Sequence, residues 1–179
     1  MAIVSTDIVL RLTVKTGSAG DTTAQADPNQ SLGKYASTTV MGTGANALFD
    51  DISGAENAAS TVDYRCFAVL NNHATLTLQN AVVYLASEVS GGANITISVD
   101  TTAASAKGAS TAQGDFIATE TTAPTLVGSY SAPTTAGTGL ALGNIAPGQV
   151  RFVWAKRTAT NSAAVSDGVT FGISGDTAP

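Results

Sequence analysis

The sequence predicts an all-β fold, an antiparallel β-sandwich of jelly-roll-like type with one short helix and an extended N-terminal arm. Three observations carry this. Short runs alternate apolar and polar residues, Gly, Pro, Asn and Asp separate them, and a single window is compatible with a helix. A chain of 179 residues fits one domain, 1–179, with length enough for a substantial core.

The first strand is Asp7 to Val14, where Ile8, Leu10, Leu12 and Val14 share one face and Val9, Arg11 and Thr13 the other. Residues 15–47 are weakly patterned and rich in Gly, Ser and Thr. So long a loop is unusual in a compact domain unless it makes contacts of its own, and it reads as an extended arm lying on a neighbouring subunit or across the domain. Ser53-Gly54-Ala55-Glu56 fits a capping box, with Asn57-Ala58-Ala59 completing one or two helical turns.

From Val62 the pattern is β. Tyr64, Cys66, Ala68 and Leu70 alternate with Arg65, Phe67 and Val69; both faces are largely apolar, which predicts a central strand. Asn71-Asn72-His73 makes a turn. Thr75 to Leu78, Val82 to Leu85 and Asn94 to Val99 continue as strands, and Thr101 to Gly114 is a loop. Phe116 to Thr119 and Leu126 to Tyr130 read as short strands parted by Pro124, which marks a strand end or edge. Gln149 to Arg157 is the second strong strand, with Phe152 and Trp154 pointing the same way, and Val169 to Ile173 is the last. The predicted core is Ile8, Leu10, Leu12, Cys66, Leu76, Leu78, Ile95, Ile97, Phe152, Trp154, Phe171 and Ile173. No fixed-period repeat is visible, against a solenoid or propeller.

Composition bounds the partners. Charged residues are only 12% and aromatics 6%, against roughly 25% charged in an average domain. A surface of Thr, Ser, Ala and Gly suits contacts made without desolvating charge. The net charge of −5 and the scattered basic residues argue against nucleic-acid binding. No apolar run approaches the ~20 residues needed to span a bilayer, and Met1 to Asp7 lacks the basic and apolar regions of a signal peptide. A protein made and kept in a cytoplasm, without membrane contact, is expected.

The residues that could carry chemistry do not assemble into a reactive set. His73 is the single histidine; in a turn it reads as a solvated ring or one bonded to a backbone carbonyl. Cys66 is the single cysteine, excluding an intramolecular disulfide and reading as a small buried apolar group. Asp50, Asp51, Glu56 and Asp63 form the densest carboxylate group, but their spacing matches no EF-hand and Glu56 has a capping role. Gly42-Thr43-Gly44 and Gly91-Gly92 lack the context of a phosphate loop, and Gly33-Lys34 is followed by Tyr35 where a P-loop needs Ser or Thr. Tyr64, Phe152 and Trp154 alternate within apolar strands and read as core rather than as a stacking platform. No catalytic residue, cofactor or metal is assigned.

The stretch Asn46 to Leu85 joins a Phe-Asp-Asp-Ile-Ser-Gly-Ala-Glu turn, a Tyr-Arg-Cys strand and Asn-Asn-His-Ala-Thr-Leu-Thr-Leu. It resembles a family of small bacteriophage virion structural proteins. The resemblance continues in Asp27 to Gly33, Thr119 to Pro124, Thr138 to Gly148 and Val153 to Thr158. No chemistry attaches to these motifs. With the low charge, the resemblance implies a non-enzymatic virion protein made in a bacterial cytoplasm. The leading expectation is a capsid decoration or cement protein that binds the major capsid protein as a symmetric homo-oligomer such as a trimer. The alternative is a tail, baseplate or fibre component with a glycan- or partner-binding sandwich.

Overall fold

The computed structural model describes residues 2–89, 91–162 and 167–177. The strands are β1 (Ile8–Val14), β2 (Tyr35–Val40), β3 (Val62–Asn71), β4 (Leu78–Glu88), β5 (Asn94–Val99), β6 (Ser105–Ala106), β7 (Leu140–Ile145), β8 (Gln149–Thr158) and β9 (Val169–Thr177), with one α-helix, α1 (Gly54–Ala59). Strands take 42% and helices 9% of the described residues, twice and about a quarter of the ordinary shares. Among the described residues no helix is long and apolar enough to cross a membrane.

All strand pairs are antiparallel. One sheet runs β2-β1-β3-β8-β5, with β6 also on β8, and the other runs β7-β4-β9. The sandwich core between them combines Leu12, Phe67, Val69, Ile95, Ile97 and Val153 of the large sheet with Leu78, Val83, Leu85, Leu142 and Ile145 of the small one. As its two apolar faces predict, β3 is central, paired with β1 on one side and β8 on the other.

The other face of the large sheet is not solvated. Cys66, Ala68, Leu70, Val150, Phe152 and Trp154 form a second core there, covered by Leu32 and Ile117 from irregular chain, with Val127 and Tyr130 packed against it. Such a roof is stable only if its buried backbone finds partners, and polar side chains supply many. Asp100 is fully buried; it accepts from Trp154 Nε1 at 3.1 Å and from the Asp115 amide at 2.8 Å. Asp115 in turn accepts from the amides of Phe116, Thr125 and Leu126 at 2.9, 2.5 and 2.9 Å. Gln113 carries out the same task beside β2, accepting from the Ala36 amide at 2.7 Å and donating to the carbonyl of Ala106 at 2.6 Å.

Burial works against ionisation of Asp115, but the amides of Leu126, Thr125 and Phe116 outweigh it and hold the carboxyl below its ordinary value. A depressed folded pKa means the carboxylate stabilises the fold above its unfolded pKa of ~3.9, a contribution lost as pH falls through the lower folded value. The Thr125 and Leu126 amides should therefore lose hydrogen-exchange protection as pH falls below about 4. Asp115→Asn should show that loss already at neutral pH. Protection that is independent of pH in the native chain would contradict the assignment.

Several expectations need correction. Of the two courses expected for residues 15–47, the segment takes the one across its own domain, but not as a plain arm or loop: it contributes β2 to the large sheet and buries Ser31, Leu32, Tyr35 and Ala36. Phe116 to Thr119 and Leu126 to Tyr130 are not strands; their ladder pairing is limited to isolated bridges, Gly33 with Phe116 and Asp100 with Val127. Thr75 to Thr77 precedes β4 as loop, whereas Val82 to Leu85 lies within it. Ile8, Leu10, Leu76, Phe171 and Ile173 are half-buried; the other seven predicted core residues are buried.

Candidate functional site

Of the predicted carboxylate group, the fold brings Asp50 and Asp63 together and separates the rest. Glu56 closes the capping box, accepting from the Ser53 amide at 2.7 Å while the Glu56 amide donates to Ser53 Oγ at 3.2 Å. The hydrogen bonds from Ser53, foremost among several causes, hold Glu56 below its ordinary pKa. Asp51 is exposed. Among the described residues no group of three or more His, Cys, Asp or Glu side chains is placed to hold a metal ion.

What organises Asp50 and Asp63 is a pair of arginines that the sequence reading passed over. Asp63 and Arg157 are direct cross-strand neighbours on β3 and β8. Their side chains are 4% and 6% exposed. Arg157 donates through Nε and Nη2 to one Asp63 oxygen at 3.2 and 2.8 Å. It also donates to the Asp50 carbonyl and, at 3.2 Å, to the Asp50 carboxylate. Two positions along β3, Arg65 is wholly buried, ion-paired with Glu120 and hydrogen-bonded to Asn29 Oδ1 at 3.2 Å. Phe49 lies between the two guanidinium groups, its ring centre 5.5 Å from that of Arg65 and 4.8 Å from that of Arg157, a doubled cation–π contact.

The edge of β3 shows why these loops converge here. Opposite Phe67 to Asn71 the partner is β1. Beyond it the Cys66 amide donates to the Ser31 carbonyl at 2.7 Å, and the Tyr64 amide donates to the Glu120 carbonyl at 2.7 Å. Loop residues thus continue the ladder that β1 leaves. Ser31 Oγ also bonds the Cys66 carbonyl at 2.6 Å and accepts from the Thr13 amide at 2.8 Å. An open cleft of about 340 Å³ lies over this junction, lined by Asp27, Asn29, Asp50, Thr119 and Glu120 among others.

Chemically the cluster is a clamp. Asp50, Asp63 and Glu120 are engaged by Arg65 and Arg157, so none stands as a free acid or base, and the lone nucleophile candidate is remote from water. Burial pushes the Cys66 thiol well above its ordinary pKa, against thiolate chemistry. His73 does not bond a carbonyl; its Nδ1 accepts from the Thr75 and Leu76 amides at 3.1 and 2.9 Å, which closes the turn after β3. Phe152 and Trp154 are core, and half-buried Tyr64 meets Tyr130 edge-on with ring centres 5.9 Å apart. Gly91 and Gly92 border a second cleft of about 390 Å³ with Glu88 and Val89. The sequence did carry one signal for the clamp: Arg65 continues the apolar row of Phe67 and Val69, and Arg157 that of Val153 and Ala155, at positions where a buried charge needs a partner.

A second ionic contact anchors the 15–47 segment. Asp21 pairs with Arg11 on β1 and with Lys107 Nζ at 3.2 Å. Burial opposes its ionisation, but the bonds from Arg11 and Lys107 prevail and hold its pKa low. With Arg65 and Arg157 counted, all eight Lys and Arg residues are buried or half-buried as whole residues, the Lys107 side chain being 39% exposed. Comparisons with protein-family models, curated proteins and solved structures found no match to this chain.

Proposed function

We propose that this chain is a non-catalytic structural protein of a bacteriophage virion, a decoration or cement protein that adheres to the assembled head. The observation that carries the reading is the character of the exterior. As whole residues the basic side chains are buried or half-buried and the exposed charges among the described residues are five carboxylates, Asp27, Asp51, Glu88, Asp167 and Asp176; the side chains of Asp50, Lys107 and Glu120 also reach solvent, 44%, 39% and 38% exposed. The rest of the exposed surface is mainly Thr, Ser, Ala and Gly. Such a surface meets neighbours without charge desolvation, and it lacks the basic face that a nucleic-acid partner requires. The sequence resemblance to small virion proteins supports the same reading. The expected partner is the major capsid protein, contacted through this low-charge, mildly acidic exterior.

The mechanism is linkage: a protein that binds the assembled shell better than loose subunits stabilises the shell by that difference. Heads lacking the protein should release DNA at lower temperature or lower ionic strength, and added protein should restore them. Finding it only at the tail tip, with bare heads equally stable, would transfer the assignment to a tail, baseplate or fibre component.

A further inference from the structure

The two sheets treat their edges differently. Along the outer edge of β2 the Asp21 amide donates to the Ala36 carbonyl at 2.8 Å and the Thr38 amide to the Thr23 carbonyl at 3.0 Å. Along β5 the Ile97 and Ser131 backbones exchange bonds of 2.8 and 3.0 Å. The large sheet is thus closed on both sides by its own chain. In the small sheet β9 pairs, among the described residues, with β4 and with no other strand.

Which groups β9 leaves open follows from the ladder. The Leu85 amide donates away from β9, to the Pro133 carbonyl at 2.7 Å, and Leu85 stands opposite Phe171. Leu85 and Phe171 are therefore a non-hydrogen-bonded pair, and antiparallel pairs alternate. Through the regular register of Val82 to Leu85 against Ser174 to Phe171, the inward bonds fall to Gly172 and Ser174. The N–H and C=O groups of Phe171 and Ile173 face the free edge, and no described residue bonds them. The register shifts on either side place the extra residues on β4, so β9 stays regular and adds Val169 and Gly175 to the open row. The strand has no proline, lysine or bulge of the kind that blunts natural edges; Asp176 is its one charge. The edge of β7 is shorter and is turned by Gly143, at φ +76°.

The geometry points to β9 as a self-association edge whose occupant is β9 of a second copy of this chain, in antiparallel register about a two-fold axis at Gly172. In that register Phe171 faces Ile173 of the second copy, and Val169 faces Gly175. Every open N–H and C=O in the row then meets its complement, and two small sheets join into one of six strands. Thr170 faces Ser174 of the second copy on the outer side. The two Asp176 carboxylates fall eight positions apart, roughly 26 Å, beyond the ~10 Å screening length at 0.1 M salt. A three-fold ring cannot be built on this contact, because a self-complementary edge closes with two copies. The inference does not rest on the virion reading and can hold or fail without it.

A nine-residue ladder is a small interface, so the free dimer is expected to be weak. Sedimentation up to about a millimolar chain would still register an association of ~4 kcal/mol. The native chain should dimerise over that range, with Phe171 and Ile173 amides gaining exchange protection as dimer forms. Thr170→Lys with Ser174→Lys puts like charges opposite each other across the axis and should weaken the dimer at least roughly ten-fold. Thr170→Lys with Ser174→Glu puts opposite charges there and should retain it. Both double variants disturb the monomer at the same two outer positions, so equal circular dichroism and melting isolate the contact. A native chain that stays monomeric, a trimer or filament, or two variants that associate equally would each overturn the proposal.

Discussion

Replacing Arg157 with alanine should destabilise the protein by about 3–5 kcal/mol, the usual effect of stranding one member of a buried ion pair. Asp63 would keep its charge with no partner at 4% exposure, and one of its oxygens already has no hydrogen-bond partner. Asp50 would lose a guanidinium on both its carbonyl and its carboxylate, and Phe49 one of its two cations. Since Asp50 and Phe49 belong to the segment that leads into α1, the loosening should spread there first. Urea denaturation measures the loss. A double-mutant cycle with Asp63→Ala isolates the pair, because removing both charges relieves most of the penalty of the single change. A change below about 1 kcal/mol for Arg157→Ala, the range of solvent-exposed ion pairs, would mean the clamp is not buried in solution.

Trp154→Ala should cost a similar 3–5 kcal/mol, by a different route. Trp154 is 0% exposed and fills the roofed face of the large sheet with Phe152, Leu32 and Ile117. Its removal leaves a cavity under irregular chain and deprives Asp100 of the indole donor. Because Asp100 also holds the Asp115 amide, the 113–131 roof should open before the sandwich does. Amide exchange in that segment, compared with exchange in β4 and β9, reads the order. Trp154→Phe retains most of the volume and should recover much of the stability. If the alanine variant melts like the native protein, the second core is not formed.

These two sites mark the boundary of what local sequence can reveal. The alternation in Val62 to Leu70 and in Gln149 to Arg157 is a property of neighbouring residues, and β3 and β8 follow from it directly. The Ser53 to Glu56 capping box is equally local and forms as read. By contrast β2 draws largely on Ala, Ser and Thr, which give little hydrophobic alternation, and it is a strand because β1 offers it an open ladder; in β7, Gly143 and Asn144 break the alternation begun by Leu140 and Leu142, and pairing with β4 completes it.

The sequence by itself determined that this is an all-β chain with a central, doubly apolar strand and a low-charge composition, since period-two alternation and residue counts need no knowledge of distant contacts. Tertiary structure alone decided that residues 15–47 fold onto their own domain and that irregular chain roofs Trp154. It also decided that Arg65 and Arg157 gather Asp50, Asp63 and Glu120 from segments far apart in sequence. The physical reason is the same each time: a buried backbone group or charge takes whatever partner the packed fold brings within reach, and that partner need not be near in sequence.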